Sequence, residues 1–224
     1  MVPILVFIAL VTAPAAWGTE APAVARDRVL QSARMLLENA QVSYVYGGRA
    51  LGEGPACEAC NQCLGSKAPH PKQRLARCPE CVRCSLDCSH FTQLVFLNAG
   101  LEAPYLTTAL MAELGAEALA RDYHFRPVAP DETAPGDLLV YNGHVVLLEK
   151  RSGTGLGDII HATAGLELKG PGMAIQRLRH VAIANFRGPL VRVLRHTELP
   201  GALPSPVPRR GPQLRPIIPP RENP

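Results

Sequence analysis

A chain of 224 residues, 47% apolar and 19% charged, can bury one sizeable core but is short for two domains, and its balance excludes an intrinsically disordered protein. The formal charge of +4 is mild, and no basic stripe is interleaved with aromatics, which argues against a nucleic-acid partner. The first segment, Val2 to Trp17, is nearly continuous apolar sequence broken by Thr12 and Pro14. It closes on Ala16-Trp17-Gly18, with small residues at the two positions a signal peptidase reads. Residues 1–18 are therefore expected to be a cleaved secretory signal, although no Lys or Arg precedes the apolar run. An uncleaved anchor would need roughly 20 apolar residues, and no twin-arginine pair marks export in the folded state. The expected address is periplasmic or secreted, with no stable membrane insertion after cleavage.

In the remaining domain, 19–198, Arg26 to Ala40 places Val29, Ala33, Leu36, Leu37 and Ala40 on one face, with Arg26, Asp27, Arg34 and Glu38 elsewhere. This predicts an amphipathic helix. Val42-Ser43-Tyr44-Val45-Tyr46 then reads as a short strand stopped by Gly47-Gly48, with both tyrosines on the same side.

From Arg49 to Leu86 the pattern changes. Cys57, Cys60 and Cys63 sit at two-residue gaps, a polar spacer carries Pro69 and Pro71, and Cys78, Cys81 and Cys84 repeat the gaps. Neither a helical nor a strand period survives, so 49–86 is expected to be an insertion held by its cysteines rather than by a core. Three chemistries compete for these thiols. Cys57, Cys60, Cys78 and Cys81 have the spacing of a four-cysteine zinc ribbon, with Cys63 or Cys84 as substitute ligands and a structural zinc as cofactor. In an oxidising compartment the six would instead form three disulfides. Cys78, Cys81, Cys84 and Cys88 match the spacing of a bacterial ferredoxin cluster, but Ser89 stands where that motif has proline and the first trio lacks a fourth cysteine. Only the cluster consumes Cys88; the other two readings leave it a free thiol.

Asp87-Cys88-Ser89-His90-Phe91 leads into Phe91, Leu94, Val95 and Leu97 at helical spacing, which predicts a loop entering a buried helix with Cys88 in its first turn and a stop at Asn98-Ala99-Gly100. Amide hydrogens and the positive dipole end of a helix stabilise a thiolate, so a lowered pKa is expected there. Thr107 or Thr108 would cap a second helix through Ala120. His124 to Val128 would be an edge strand, since Pro127 is tolerated only there. Asp137 to Tyr141, the turn pair Asn142-Gly143 and His144 to Glu149 give a hairpin with His144 first on the returning strand. Strands near Gly157 to Thr163, Met173 to Leu178 and Leu190 to Leu194 complete a sheet of about five or six. Helices first and strands after make the class α+β with an antiparallel sheet. The proline-rich stretch 199–224 is expected to be an extended, disordered tail.

Tyr44-Val45-Tyr46-Gly47-Gly48, Asp87-Cys88-Ser89, Ala134-Pro135-Gly136-Asp137-Leu138, Gly143-His144-Val145 and Ile159-Ile160-His161-Ala162 occur in an order that resembles the NlpC/P60 family of papain-like cysteine peptidases of bacterial cell-wall peptides, over roughly Arg26 to Leu194. The resemblance implies a papain-like fold with N-terminal helices packed on the sheet, Cys88 as nucleophile, His144 as its base and His161 as the third polar residue. It also implies that Tyr44, Asp87 and Ser89 shape the substrate side, with no cofactor for catalysis. The implied partner is peptidoglycan, cleaved after a γ-linked D-glutamate. Two departures stand out: His90 replaces the family's glycine, and the cysteine-rich insertion replaces a short loop. His70, His90, His124, His180 and His196 are read as surface or packing residues. Two other classes compete with the peptidase, an iron-sulfur or redox protein using Cys88, and a non-catalytic wall-binding module.

Overall fold

The apolar stripe near the start of the chain buries where its period says it should. In the computed structural model, which describes residues 22–67, 70–164 and 173–201, helix α1 (Pro22–Asn39) turns Val29, Ala33 and Leu36 into the core. Arg26, read from the pattern as belonging to the polar side, is buried instead. Its guanidinium donates to the carbonyl of Pro135 and, at 2.7 Å, to that of Pro200, so the first helix is tied to the last described turn. Leu199 is buried as well, and packing thus reaches just past the predicted start of the tail. The predicted signal 1–18 and the tail beyond residue 201 lie outside the described residues.

Two-residue strands β1 (Ser43–Tyr44), β2 (Arg49–Ala50) and β3 (Ser85–Leu86) form a small sheet in the order β1-β3-β2. β3 runs parallel to β1 and antiparallel to β2, a mixed sheet the sequence pattern did not reveal because each strand is too short to show a period. Between β2 and β3 lies the cysteine-rich segment. It is not aperiodic, as expected, but helical: α2 (Pro55–Lys67), α3 (Arg74–Arg77) and a 3-10 turn over Pro79–Arg83.

Its six cysteines pair as three nested disulfides, Cys57–Cys84, Cys60–Cys81 and Cys63–Cys78, with Cα separations of 4.9, 4.6 and 5.8 Å. A bridged sulfur has no thiolate to offer a metal. The structure thus takes the disulfide alternative, and a zinc site on Cys57, Cys60, Cys78 and Cys81, or on Cys63 and Cys84, would require the reduced protein. The iron-sulfur reading loses three of its four ligands in the same way, and Cys88 stays a free thiol.

Helix α4 (Cys88–Asn98) follows β3 directly. The second predicted helix is split into α5 (Thr108–Glu113), capped by the Thr107 side chain, and α6 (Ala116–Tyr123), with Gly115 at the break. The main sheet comprises β4 (Phe125–Val128), β5 (Leu138–Tyr141), β6 (His144–Arg151), β7 (Leu156–Ala162), β8 (Ile175–Ala182) and β9 (Leu190–His196). Its order is β4-β9-β5-β6-β7-β8 with every neighbouring pair antiparallel, so the protein is α+β as expected. β4, which carries Pro127, is an edge strand. Tyr141 faces His144 across the two-residue turn, and Gly143 supplies the positive φ of +70° that the turn needs.

Alternation along the strands makes two apolar layers. Leu138, Val140, Val145, Leu147 and Ile160 pack with residues of α1 and α4, while Leu139, Tyr141, Val146, Leu148 and Ile159 pack on the other side with Ile183 and Phe186. One ion pair is sealed in this frame. Arg195, 1% exposed, donates from Nε and Nη2 to the two carboxylate oxygens of Asp137, 0% exposed, each at 2.7 Å. The same Asp137 Oδ2 accepts the Ala134 amide at 2.7 Å and so fixes the turn before β5. Arg195→Met strands that carboxylate and is expected to cost about 3–5 kcal/mol in urea unfolding. Converting Asp137→Leu in the same chain should recover part of the loss, and a single variant as stable as wild type would show that the pair contributes nothing.

Candidate active site

The site grows out of the small sheet. β3 delivers the chain to Asp87, the N-cap of α4, whose backbone is extended and whose Oδ1 accepts the His90 amide at 2.8 Å. Oδ1 also accepts the Ser89 hydroxyl at 2.9 Å and lies 3.1 Å from His90 Nδ1, while Oδ2 accepts the Gly47 amide at 3.0 Å. Burial pushes the Asp87 pKa up, but hydrogen bonds from the His90 side chain and amide and from Ser89 outweigh it, and the net shift is downward. With its lone pairs committed, Asp87 acts as the clasp of the loop rather than as an open substrate acceptor.

Cys88 is the first residue of α4 and 5% exposed. The amide of Val145, the residue after His144, and the Tyr44 hydroxyl from β1 both act on its sulfur and favour the thiolate. The loop, the small sheet and the start of β6 thus meet at one atom. His144 and His161 are joined directly, with His144 Nε2 at 2.8 Å from His161 Nδ1 and the rings edge-to-face. By alternation both stand on the sheet face of Val146 and Ile159, where the Phe186 ring lies 5.5 Å from His161 and 6.3 Å from His144. His161 Nε2 is buried without a hydrogen-bond partner. One proton is shared in the His144–His161 bond. When it resides on His144 Nε2, the His144 Nδ1 lone pair is left available as a base.

Burial decides the charge state. It pushes the Cys88 thiol up to about 11, against the lowering effect of the Val145 amide and the Tyr44 hydroxyl. It pushes His144 down to about 4, with the Arg187 charge adding to the effect, and His161 down to about 3, with His144 and Arg187 adding. A depressed thiol pKa, expected from the helix start, is therefore not what this site has. The helix end favours the thiolate, but nearly complete desolvation outweighs it. At neutral pH the resting site holds a neutral thiol and two neutral imidazoles.

Several neighbours of the site had no sequence signal. Tyr105, 38% exposed, bonds Ser89 Oγ at 3.1 Å and stacks on His90 at 3.9 Å. His90, read as a surface or packing residue, in fact borders the nucleophile loop. Tyr46 is 62% exposed while Tyr44 is turned to the thiol, so only one of the two tyrosines reaches the sulfur. Phe186 and Arg187 come from the turn between β8 and β9, too irregular for any period. His196 is a packing residue as expected, buried between Phe96 and Phe125. A separate groove of about 710 Å³ beside the insertion, lined by Met35, Leu36, Leu51 and Cys57 among others, contains none of the titrating groups just described.

No family model matches the chain, and no curated protein matches it. Among solved structures it is similar to the peptidoglycan hydrolase RipB of Mycobacterium tuberculosis, at 21% identity and a TM-score of 0.46 over 82% of this chain and 72% of that one. It is similar to the resuscitation-promoting-factor-interacting protein RipA at 17% identity and a TM-score of 0.43, over 78% of this chain and 63% of that one, so it spans under two thirds of that chain. A third likeness is to RipD of Mycobacterium tuberculosis, a non-catalytic NlpC/P60 domain protein adapted to peptidoglycan binding, at 16% identity and a TM-score of 0.41 over 76% of this chain and 96% of that one.

Two titrations follow from the charge state. Alkylation of Cys88 by iodoacetamide is expected to be slow below pH 8 and to keep accelerating above pH 9, since the thiol titrates near 11; a plateau by pH 8 would contradict it. In acid, the unfolded chain takes up protons on its histidines near pH 6.5, whereas folded His144 and His161 resist until about 4 and about 3. Their contribution to stability is whole above about pH 6.5 and is lost as the pH falls through those folded values. Melting temperature should therefore decline between pH 6.5 and 4, less steeply in His161→Asn; equal slopes would refute the assignment.

Proposed function

We propose that the chain is an exported cysteine peptidase that hydrolyses peptidoglycan stem peptides, with Cys88, His144 and His161 as its catalytic residues. The observation that supports this reading is the free Cys88 at the start of α4, whose sulfur is acted on by the Tyr44 hydroxyl and by the amide of Val145, the residue after a His144 whose imidazole is bonded to that of His161. The substrate class, and the bond after γ-linked D-glutamate, come from the motif resemblance.

Because the resting pair is neutral, His144 works as a general base during attack rather than as the partner of a preformed thiolate. Cys88 Sγ bonds to the peptide carbonyl carbon while its proton passes to His144 Nδ1, the ring nitrogen not engaged by His161. The carbonyl oxygen becomes an oxyanion held by backbone amides at the start of α4, that of Cys88 included. The tetrahedral species collapses to a thioester as His144 gives the proton to the leaving amine. Water then attacks the thioester, His144 takes its proton and returns it to the sulfur, and the free acid leaves. His161 accepts the His144 Nε2 proton in a hydrogen bond and so keeps the base in the useful tautomer. No step draws on a metal or other cofactor.

A second reading, wall binding without turnover, is favoured by the near-complete burial of the thiol and its high pKa. Digestion of purified peptidoglycan by the protein, Cys88→Ala and His144→Ala, read by mass spectrometry, separates the two. The peptidase reading expects new peptide termini from wild type, none from Cys88→Ala, and a loss of roughly a hundredfold or more in His144→Ala. No fragments from wild type together with co-sedimentation on intact sacculi would instead establish the binding module.

A further inference from the structure

The insertion does more than fill a loop. β1, which carries Tyr44, pairs with β3 over two residues, is flanked by the Val42 carbonyl bonded to the Ala174 amide and the Val45 amide bonded to the Leu86 carbonyl, and is gripped from the other side by the insertion. Ser43 Oγ donates to Asn61 Oδ1 of α2 at 2.6 Å. Arg74 of α3 donates from Nη1 to the carbonyl of Tyr44 at 2.9 Å. The next residues are just as closely engaged. The Gly47 amide reaches Asp87, a Cβ on Gly48 would come within 2.8 Å of the Ser85 backbone, and the Asp87 amide donates to the Gly48 carbonyl at 3.0 Å. Both grips are anchored by the ladder: Asn61 follows Cys60, Arg74 lies between Cys63 and Cys78, and Cys84 directly precedes β3.

We propose that Asn61 and Arg74 of the disulfide-laced insertion are positioning residues that hold β1 so that the Tyr44 hydroxyl stays on the Cys88 sulfur. The consequence for turnover rests on the peptidase reading, whereas the placement of the hydroxyl does not. The insertion thereby belongs to the catalytic apparatus although neither residue touches substrate. Tyr44 from β1, Asp87 from the loop and Tyr105 from the segment before α5 are the titratable groups that interact with the thiol, with Arg187 acting on Tyr44 and His144 from the β8–β9 turn. Among them Tyr44 is the one whose hydroxyl the insertion would control, since the Tyr44 hydrogen bond stabilises the thiolate.

The test is the pH profile of Cys88 alkylation by iodoacetamide in the disulfide-intact protein, compared among wild type, Arg74→Met, Asn61→Ala, Arg74→Lys and Tyr44→Phe, with Arg74→Met and Asn61→Ala also made in the Tyr44→Phe background. Arg74→Met and Asn61→Ala are each expected to shift the profile upward by about half a unit, which slows the reaction about threefold at pH 8. Arg74→Lys, which keeps a donor, should restore most of the rate. In the Tyr44→Phe background neither substitution should have a further effect. Unchanged profiles overturn the proposal, and so does an equal slowing with and without the Tyr44 hydroxyl, which is what mere loosening of the fold would give. Should Arg74→Met fail to fold, Asn61→Ala carries the same comparison. The readout needs no peptidase activity, so a protein that digests no peptidoglycan would sink the proposed function and leave this result standing or falling on its own.

Discussion

One carboxylate holds the geometry on which the site depends. Asp87 caps α4, fastens Gly47 of the segment after β1, and gathers Ser89 and His90 around its two oxygens. Each of these bonds is modest alone, roughly 1.5–3 kcal/mol for one to a charged acceptor, but they share an acceptor that is 5% exposed. Losing it would leave donors on two different segments, the stretch after β1 and the first turn of α4, without their acceptor at once. Because Cys88 is the next residue, any motion of Asp87 moves the sulfur relative to Tyr44 and the Val145 amide. The start of a helix supplies a favourable field for a nucleophile; the cap decides where that nucleophile stands.

Burial and field pull the thiol in opposite directions, and burial wins. A sulfur in the first turn of a helix gains from the dipole, but this effect amounts to about 0.3–1 kcal/mol, and up to about 2 kcal/mol in a partly buried setting. Removing water from an anion costs several times as much. The same desolvation lowers both imidazoles, so the thiol and the two imidazoles are uncharged at neutral pH, and the standing charge beside the thiol is the clasped Asp87 carboxylate. On the peptidase reading, the proton has to move as the bond forms, and an amide substrate would meet a thiol and an imidazole that are both neutral. On the same reading His161 serves as a tautomer lock, and a carboxylate in its place would add to the buried negative charge of Asp87.

What the sequence disclosed follows the length of the signal. Helix α1, helix α4 with its Asp87 cap, the Asn142-Gly143 hairpin and the antiparallel sheet all rest on periods or turn chemistry spread over several residues, and they are found where the pattern puts them. The small sheet was invisible, because two residues carry no period. The insertion was misjudged: three cysteines at i, i+3 and i+6 are compatible with a helix, but the surrounding polar residues hide the stripe, and α2 is helical because its cysteine face is covered. Arg26 was misplaced since helical pattern alone cannot foresee that a guanidinium will find carbonyls from residues 135 and 200. Cys88, His144 and His161 are candidates from their motifs, and the structure joins the two histidines, yet the charge state of the three is not in the sequence, because desolvation is a property of the packed molecule. Tyr105 reaches the loop, and Arg74 reaches β1, through folding alone.

The pairing of the insertion also has a geometric cause. In a 3-10 turn, three residues make one full revolution with a rise of about 2 Å each, so Cys78, Cys81 and Cys84 lie nearly in line. In an α-helix, steps of three fall about 60° short of a full turn and climb about 4.5 Å, so Cys57, Cys60 and Cys63 form a slowly winding row. The two rows run antiparallel, outermost with outermost, and so pair in nested order. Nesting brings the end of the segment back to its beginning. Cys84 closes on Cys57, Gly52 accommodates Cys84 where a Cβ would come within 2.5 Å of its own Cβ, and the chain re-enters the small sheet as β3 beside β2. An insertion of this length without such closure would leave the approach to Asp87 and Cys88 to the short pairings of β3 with β1 and β2. With it, the approach is as fixed as the helix that follows.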